Sequence, residues 1–160
     1  MKLKSIVDIS SQFYKEPSML LNTPGWEFPL RDCPDVFLLN YETKEYKDEI
    51  ILKRFSAIPK TKAIVIAGLE PMENVIDLRS FIFSARKFFD PGNRPKIIIL
   101  TTYYMEELPQ KKWGGLRSEI IQYGNCIIRC GRYEKTKKKV LGIPLSYNQN
   151  LYSYNGYQYS

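Results

Sequence analysis

The chain has 160 residues, of which 44% are hydrophobic, so it is long enough for one domain with a single core and too short for two of ordinary size. Its 24 Lys and Arg residues exceed its 17 Asp and Glu residues. The formal charge of +7 favours nucleic acid or an acidic protein as a partner, with a role in solubility alone as the alternative. The chain has no histidine, which excludes Ser-His and Cys-His dyads, histidine-ligated metals and imidazole acid–base catalysis.

The sequence carries no sign of a membrane segment. No apolar run approaches the ~20 residues that a helix needs to cross a bilayer. Residues 1–5 also lack the apolar stretch of a signal peptide. We therefore expect a protein of the cytoplasm that does not associate with membranes.

The three cysteines are Cys33, Cys126 and Cys130, and their low, odd number is typical of reduced thiols. Cys126 and Cys130 lie four residues apart in a predicted strand, which separates them by ~13 Å and excludes a disulfide between them. We predict that both are small buried apolar residues.

The first predicted strand is the apolar run 19–22, which follows a mixed segment over residues 1–18. Residues 23–47 are predicted to form a long loop, because proline and glycine interrupt any regular pattern. A loop of this length in a compact domain is usually functional or poorly ordered.

Apolar residues at helical spacing predict two helices. The first spans 48–57, with Asp48 at its start, and the second spans 74–89, with Asn74 as its N-cap. Proline follows both helices closely and ends them.

Continuous apolar runs predict three further strands, at 62–67, 96–102 and 125–130. A short helix near 105–108 and another over 115–122 separate the last two strands. The alternation of apolar strands and helices predicts an α/β fold with a mostly parallel sheet.

Right-handed crossovers bring the ends of parallel strands to one edge of such a sheet. The loops 23–47, 68–74, 102–105 and 131–139 are therefore expected to lie together at that edge. We assign residues 1–146 to a single domain and the Tyr- and Asn-rich residues 147–160 to a C-terminal tail with disorder at its end.

Several segments, in order and spacing, match a known family: residues 14–19, 61–71, 97–104, 131–133, and 140–146 with 148–149. The chain resembles the compact radical S-adenosylmethionine (SAM) proteins that are similar to the activating component of anaerobic ribonucleotide reductase. The nearest branch is a small one found in phages and Gram-positive bacteria. The resemblance implies a small mostly parallel sheet with flanking helices, in a partial (β/α)-barrel arrangement. It also implies a phage or mobile-element setting.

In that family, three cysteines in the loop after the first strand hold a [4Fe–4S] cluster. The matching positions here are Pro24, Phe28 and Cys33, of which only Cys33 is a thiol. Because a four-iron cluster needs several thiolate ligands, we expect the cluster to be lost. No cofactor is expected, and binding of SAM without the cluster is the alternative.

A second family segment, the glycine turn that lies against the methionyl amine of SAM, corresponds to Gly68, Leu69 and Glu70. A turn with a carboxylate can bind an ammonium group, so this segment is a candidate vestigial SAM pocket. The alternative is that Gly68 only serves the turn and that Glu70 is solvated at a helix start.

Partner binding is the remaining candidate role. Basic and aromatic side chains suit single-stranded nucleic acid or an acidic protein groove, and a solvated loop is the alternative. The residues are Arg132, Tyr133, Lys135, Lys137, Lys138 and Lys139, with Lys111, Lys112, Trp113 and Arg117. Trp26 and Phe28 either fill the vacated cofactor pocket or contact the partner.

These features together predict a catalytically inactive radical-SAM-like scaffold that acts as a binding or inhibitory protein. The expected partner is an acidic host protein or ribonucleoprotein, for instance a nucleic-acid-handling complex of host defence. One alternative is a divergent activase for a glycyl-radical reductase, and another is a basic protein that binds nucleic acid directly.

Overall fold

The fold is taken from a computed structural model, which describes residues 1–25, 35–107, 110–131 and 150–152. Its strands and α-helices are, in chain order, β1 (Lys2–Leu3), β2 (Ser5–Ser10), β3 (Ser18–Thr23), β4 (Lys44–Glu45), α1 (Asp48–Ser56), β5 (Ala63–Gly68), α2 (Val75–Phe88), β6 (Lys96–Leu100), α3 (Gln110–Tyr123), β7 (Cys126–Cys130) and β8 (Asn150–Tyr152). No helix within these ranges is long and apolar enough to cross a membrane.

The main sheet has six strands in the order β2-β3-β5-β6-β7-β8. The four central strands are parallel, whereas β2 and β8 pair with the sheet in antiparallel orientation. The predicted α/β fold with a mostly parallel sheet is confirmed. The short strands β1 and β4 form a separate antiparallel pair.

The two faces of the sheet have different coverings. One face packs on all three α-helices in a single core, whose strand residues are Met19, Leu21, Ile64, Ile66, Ile97, Ile99, Cys126, Ile128 and Cys130. The opposite face, here called the far face, carries a second buried cluster, which consists of Phe13, Leu20, Ala63, Val65, Ala67, Ile98, Leu100 and Ile127. Strands added in chain order by right-handed crossovers place every helix on the same side, which explains this division.

Polar contacts fix how the helices pack. The Asp48 carboxylate at the start of α1 accepts hydrogen bonds from the Ser80 and Ser84 hydroxyls of α2, at 3.1 and 3.2 Å. Asp48 therefore joins two helices, and it is the first residue of α1, directly after the N-cap residue Lys47.

Arg94 holds the carboxyl ends of two helices. Its guanidinium donates to the Tyr123 carbonyl of α3 at 2.9 Å and to the Arg86 carbonyl of α2 at 3.2 Å. Arg94→Ala is expected to lower the free energy of unfolding by about 2 kcal/mol, because charged hydrogen bonds to otherwise unpaired carbonyls are lost. Urea denaturation measures this, with the exposed Lys60→Ala as the control. A loss no larger than the control's would contradict the prediction.

Strand β8 lies in the segment that the sequence assigned to the tail. Residues Asn150–Tyr152 pair with β7 and extend the sheet, so the folded domain reaches beyond residue 146. The remaining tail residues lie outside the described part of the chain.

Candidate functional site

The parallel strands end at one edge of the sheet. The start of the loop after β3 and the turn after β5 meet there. The Thr23 hydroxyl donates to the Ala67 carbonyl at 2.9 Å, and the Leu69 amide donates to the Thr23 carbonyl at 3.1 Å. The end of β3 is thus joined to the turn after β5. This edge is where open parallel sheets bind ligands, so it is the candidate functional site.

Gly68 makes this close approach of the two segments feasible. Its φ angle is +104°, a conformation that side-chain-bearing residues rarely adopt. A Cβ atom at Gly68 would lie 2.4 Å from the Thr23 amide nitrogen. The turn therefore requires glycine at this position, which agrees with the alternative that the sequence left open for Gly68.

Glu70 is fully buried (0% exposed), and both of its carboxylate oxygens are engaged. One oxygen accepts from the Met72 amide at 2.9 Å and the Thr101 hydroxyl at 2.6 Å. The other accepts from the Thr102 amide at 3.0 Å and from the Thr102 hydroxyl. The expectation of a solvated Glu70 is wrong, because its carboxylate instead joins the ends of β5 and β6.

The environment of Glu70 also changes its acidity. Burial raises the pKa of Glu70 above its ordinary value, although the hydrogen bonds from Thr101, Thr102 and Met72 act in the opposite direction. An incoming ammonium group would have to replace donors that the chain already supplies. Leu69 beside it is buried as well.

The start of the long loop after β3 packs directly on this turn. The Asn74 side-chain amide donates to the Pro24 carbonyl at 2.9 Å and to the Glu70 carbonyl at 3.2 Å. A Cβ atom at Gly25 would lie only 2.4 Å from the Glu70 amide nitrogen. Asn74 thus binds two loops, and its side chain makes no hydrogen bond that caps α2.

A second part of the same loop, residues 35–41, runs from the neighbourhood of β7 to the neighbourhood of Lys4. Asp35 is buried near Arg129 of β7, whereas the Tyr41 carbonyl accepts from the Lys4 side chain at 2.8 Å, next to the start of β2. Leu38, in the middle, is fully buried. Part of the long loop is therefore ordered, with a 3₁₀ helix over Val36–Asn40.

Arg129 is a charged residue within an apolar strand. Its neighbours Ile128 and Cys130 face the helices, so Arg129 projects to the far face. It is 7% exposed, and its guanidinium carbon lies 5.7 Å from the centre of the Phe13 ring. Sequence reasoning did not single out Arg129 or Asp35, although a lone cation inside an apolar strand was a usable signal.

Burial shifts both charged groups toward their neutral forms. It raises the pKa of Asp35 from 3.8 to about 6, against the attraction of Arg129. It lowers the pKa of Arg129 to about 10, against the attraction of Asp35. Arg129 therefore keeps its positive charge at neutral pH.

The raised pKa of Asp35 predicts a pH-dependent stability. Between about pH 4 and 6 the folded state retains a proton that the unfolded state has released, so the free energy of unfolding falls as pH rises through this window. Asp35→Asn is expected to remove this fall, which is on the order of 2 kcal/mol. Urea denaturation of both proteins from pH 4 to 7 measures it, and parallel profiles would contradict the assignment.

The other residues that the sequence singled out have mixed outcomes. Trp113 is only 6% exposed and belongs to the helix-side core, so the expectation that it stacks on bases or anchors an interface is wrong. Arg117 is exposed on α3. The residues Trp26, Phe28, Cys33, Arg132, Tyr133, Lys135, Lys137, Lys138 and Lys139, and the side chains of Lys111 and Lys112, lie outside the described part of the structure.

Cys126 and Cys130 are both buried, as predicted, and both are free thiols. Burial raises the pKa of both thiols, that of Cys130 to about 12. They are therefore neutral at physiological pH, and a neutral thiol is a poor nucleophile and a poor metal ligand.

No protein-family model, curated protein or solved structure matches this chain.

Proposed function

We propose that this protein is a non-catalytic radical-SAM-like scaffold that binds and inhibits a macromolecular partner. The observation that carries the proposal is the engagement of Glu70. In the family that the sequence resembles, the corresponding carboxylate faces the amine of SAM. Here it accepts hydrogen bonds from Met72, Thr101 and Thr102 of its own chain and has no exposed surface. A carboxylate used in this way contributes to the fold.

The arrangement of the sheet supports the scaffold part of the proposal. Strands in chain order with all three described helices on one face are the arrangement that one portion of a (β/α) barrel would have. In such a barrel the far face would be the interior. The partial barrel therefore remains part of the proposal.

The described thiols do not fit an iron–sulfur cluster. Pro24, at the first matched ligand position, has no donor atom in its side chain. Cys126 opens β7 and Cys130 ends it, so they lie ~13 Å apart along the strand, and both are buried neutral thiols. These residues therefore give no support to cluster or radical chemistry in this chain.

The proposed partner is an acidic host protein or ribonucleoprotein, for instance a nucleic-acid-handling complex of host defence. Support comes from the formal charge of +7 and from the basic run that includes Lys137, Lys138 and Lys139. A triple variant in which all three lysines are substituted by Glu is expected to lose capture of the partner from a host extract.

The control for this charge reversal is the triple replacement of Lys53, Lys60 and Lys87 with Glu, which makes the same change in net charge at exposed positions elsewhere. Equal loss of capture in both triple variants would show a non-specific effect of net charge. A steep fall of capture with salt in the wild type would favour direct binding of nucleic acid, because phosphate contacts release counterions.

Anaerobic reconstitution with iron and sulfide, followed by iron quantification and SAM-binding calorimetry, tests the absence of catalytic chemistry. We expect no stoichiometric iron and no heat of SAM binding. About four irons per chain, with SAM cleavage on reduction, would overturn the proposal and favour the activase alternative.

A further inference from the structure

Among the described residues, Arg129 is a buried cation without the partners that such a group normally has. Two of its nitrogen atoms, Nε and Nη1, are shielded from solvent and have no hydrogen-bond partner in the described structure. Phe13 contacts its face but cannot accept a hydrogen bond in the plane of the guanidinium. Buried polar groups in native proteins are usually hydrogen-bonded, so this one requires an explanation.

Asp35 does not supply the missing contacts. It is 8% exposed and near enough to Arg129 for the two charges to influence each other. No direct ion pair or hydrogen bond joins the two side chains among the contacts of the described residues. A pair that served only the fold would be expected to make contact, because the desolvation of both charges is offset only by good geometry.

The position of Arg129 is also that of a ligand-binding residue. It is the penultimate residue of β7, at the carboxyl edge where parallel sheets bind ligands. It projects to the far face, away from the helices. The acidic residue that influences it, Asp35, belongs to the 35–41 segment, which is a loop and not a strand of the sheet.

We propose that Arg129 anchors a binding subsite for a small oxyanion, either a carboxylate or a phosphate group, and that Asp35 is a weak internal competitor for it. A guanidinium suits both groups, because it donates several hydrogen bonds from one plane and keeps its charge. Binding of the anion requires the Asp35 carboxylate to move away, since two negative charges beside one cation repel each other. This subsite is independent of the proposed macromolecular partner.

The test measures the Tm of the purified protein at pH 7.5 in increasing concentrations of inorganic phosphate, of succinate, and of sodium chloride at matched ionic strength. In the wild type, at least one oxyanion is expected to raise Tm saturably above the chloride control. In Asp35→Asn the half-saturating concentration is expected to fall about tenfold, because the competing charge is gone. Arg129→Gln is expected to lose the saturable rise altogether.

Two further measurements, on Arg129→Lys and on the Arg129 Nε–H resonance, test the proposal if Arg129→Gln does not fold. Arg129→Lys retains the charge with a different donor geometry and is expected to bind the anion more weakly. In ¹⁵N-labelled wild-type protein, the Arg129 Nε–H resonance is expected to shift with the same midpoint as Tm. An equal Tm rise in wild type, Asp35→Asn and Arg129→Lys, with an unmoved Nε–H resonance, would show that Arg129 is a structural cation only. The phosphate and succinate arms distinguish the two sources of the anion.

Discussion

Glu70→Ala is expected to lower the free energy of unfolding by about 4 kcal/mol. The substitution leaves the Met72 and Thr102 amides without their buried acceptor and opens a cavity between the ends of β5 and β6. An unsatisfied buried donor costs about 1–3 kcal/mol, and the cavity adds to this. Urea denaturation measures the loss, and the exposed Glu42→Ala is the control.

Glu70→Gln is the graded companion of this variant. Its amide oxygen replaces one carboxylate oxygen, but its NH₂ group then faces a backbone donor, so we expect a loss of about 1–2 kcal/mol. Because burial raises the pKa of Glu70, the folded state retains its proton above the ordinary value of 4.5. Wild-type stability therefore falls as pH rises above that value, and this contribution is absent from the Gln variant.

These two variants also decide what Glu70 does. If the carboxylate were held ready for a ligand, its removal would leave stability near that of the Glu42→Ala control or increase it. Such a result would contradict the structural role on which the proposed function depends. It would favour the prediction from the sequence that Gly68, Leu69 and Glu70 form a vestigial SAM pocket.

Gly68→Ala is expected to be the most destabilising single methyl addition in the described chain, with a loss of roughly 4 kcal/mol or an insoluble product. Two effects combine at this position. The φ angle of +104° is unfavourable for alanine, and its Cβ would lie 2.4 Å from the Thr23 amide nitrogen and 2.5 Å from the Thr23 carbonyl oxygen. Both contacts are with the backbone of a central strand, which cannot move without breaking sheet hydrogen bonds.

Two other glycines separate these effects. Gly124 has a φ angle of +81°, but a Cβ atom added there would meet no described atom within 4 Å, so Gly124→Ala is expected to cost only about 1–2 kcal/mol. Gly92 has open space and no positive φ angle, so Gly92→Ala is expected to be neutral. Thermal and urea unfolding of the three variants measure the series. A Gly68→Ala protein as stable as Gly124→Ala would show that β3 and the turn after β5 are not in close contact.

The central strands could be predicted from the sequence, because each contains a run of apolar residues that is buried on both faces. The edge strand β2 could not, since Ser5–Ser10 mixes polar and apolar residues and is only half buried. Helix α3 begins at Gln110, whereas the sequence predicted a start at residue 115, since the Gly114-Gly115 pair lowers the local helix propensity. Packing against α2 offsets this low propensity at Gly115. The Arg79 side chain packs so closely there that a Cβ atom at Gly115 would lie 2.9 Å from it.

The sequence by itself determined the α/β class, the four parallel strands, the burial of Cys126 and Cys130, and the position of the Gly68–Glu70 turn at the carboxyl edge. These follow from local hydrophobic periodicity and chain order. Only the tertiary structure decided that Glu70 is saturated by Thr101 and Thr102, that Trp113 is in the core, and that Arg129 is buried near Asp35. The physical reason is that the partners of a buried polar group come from other strands and loops, and no local pattern records them.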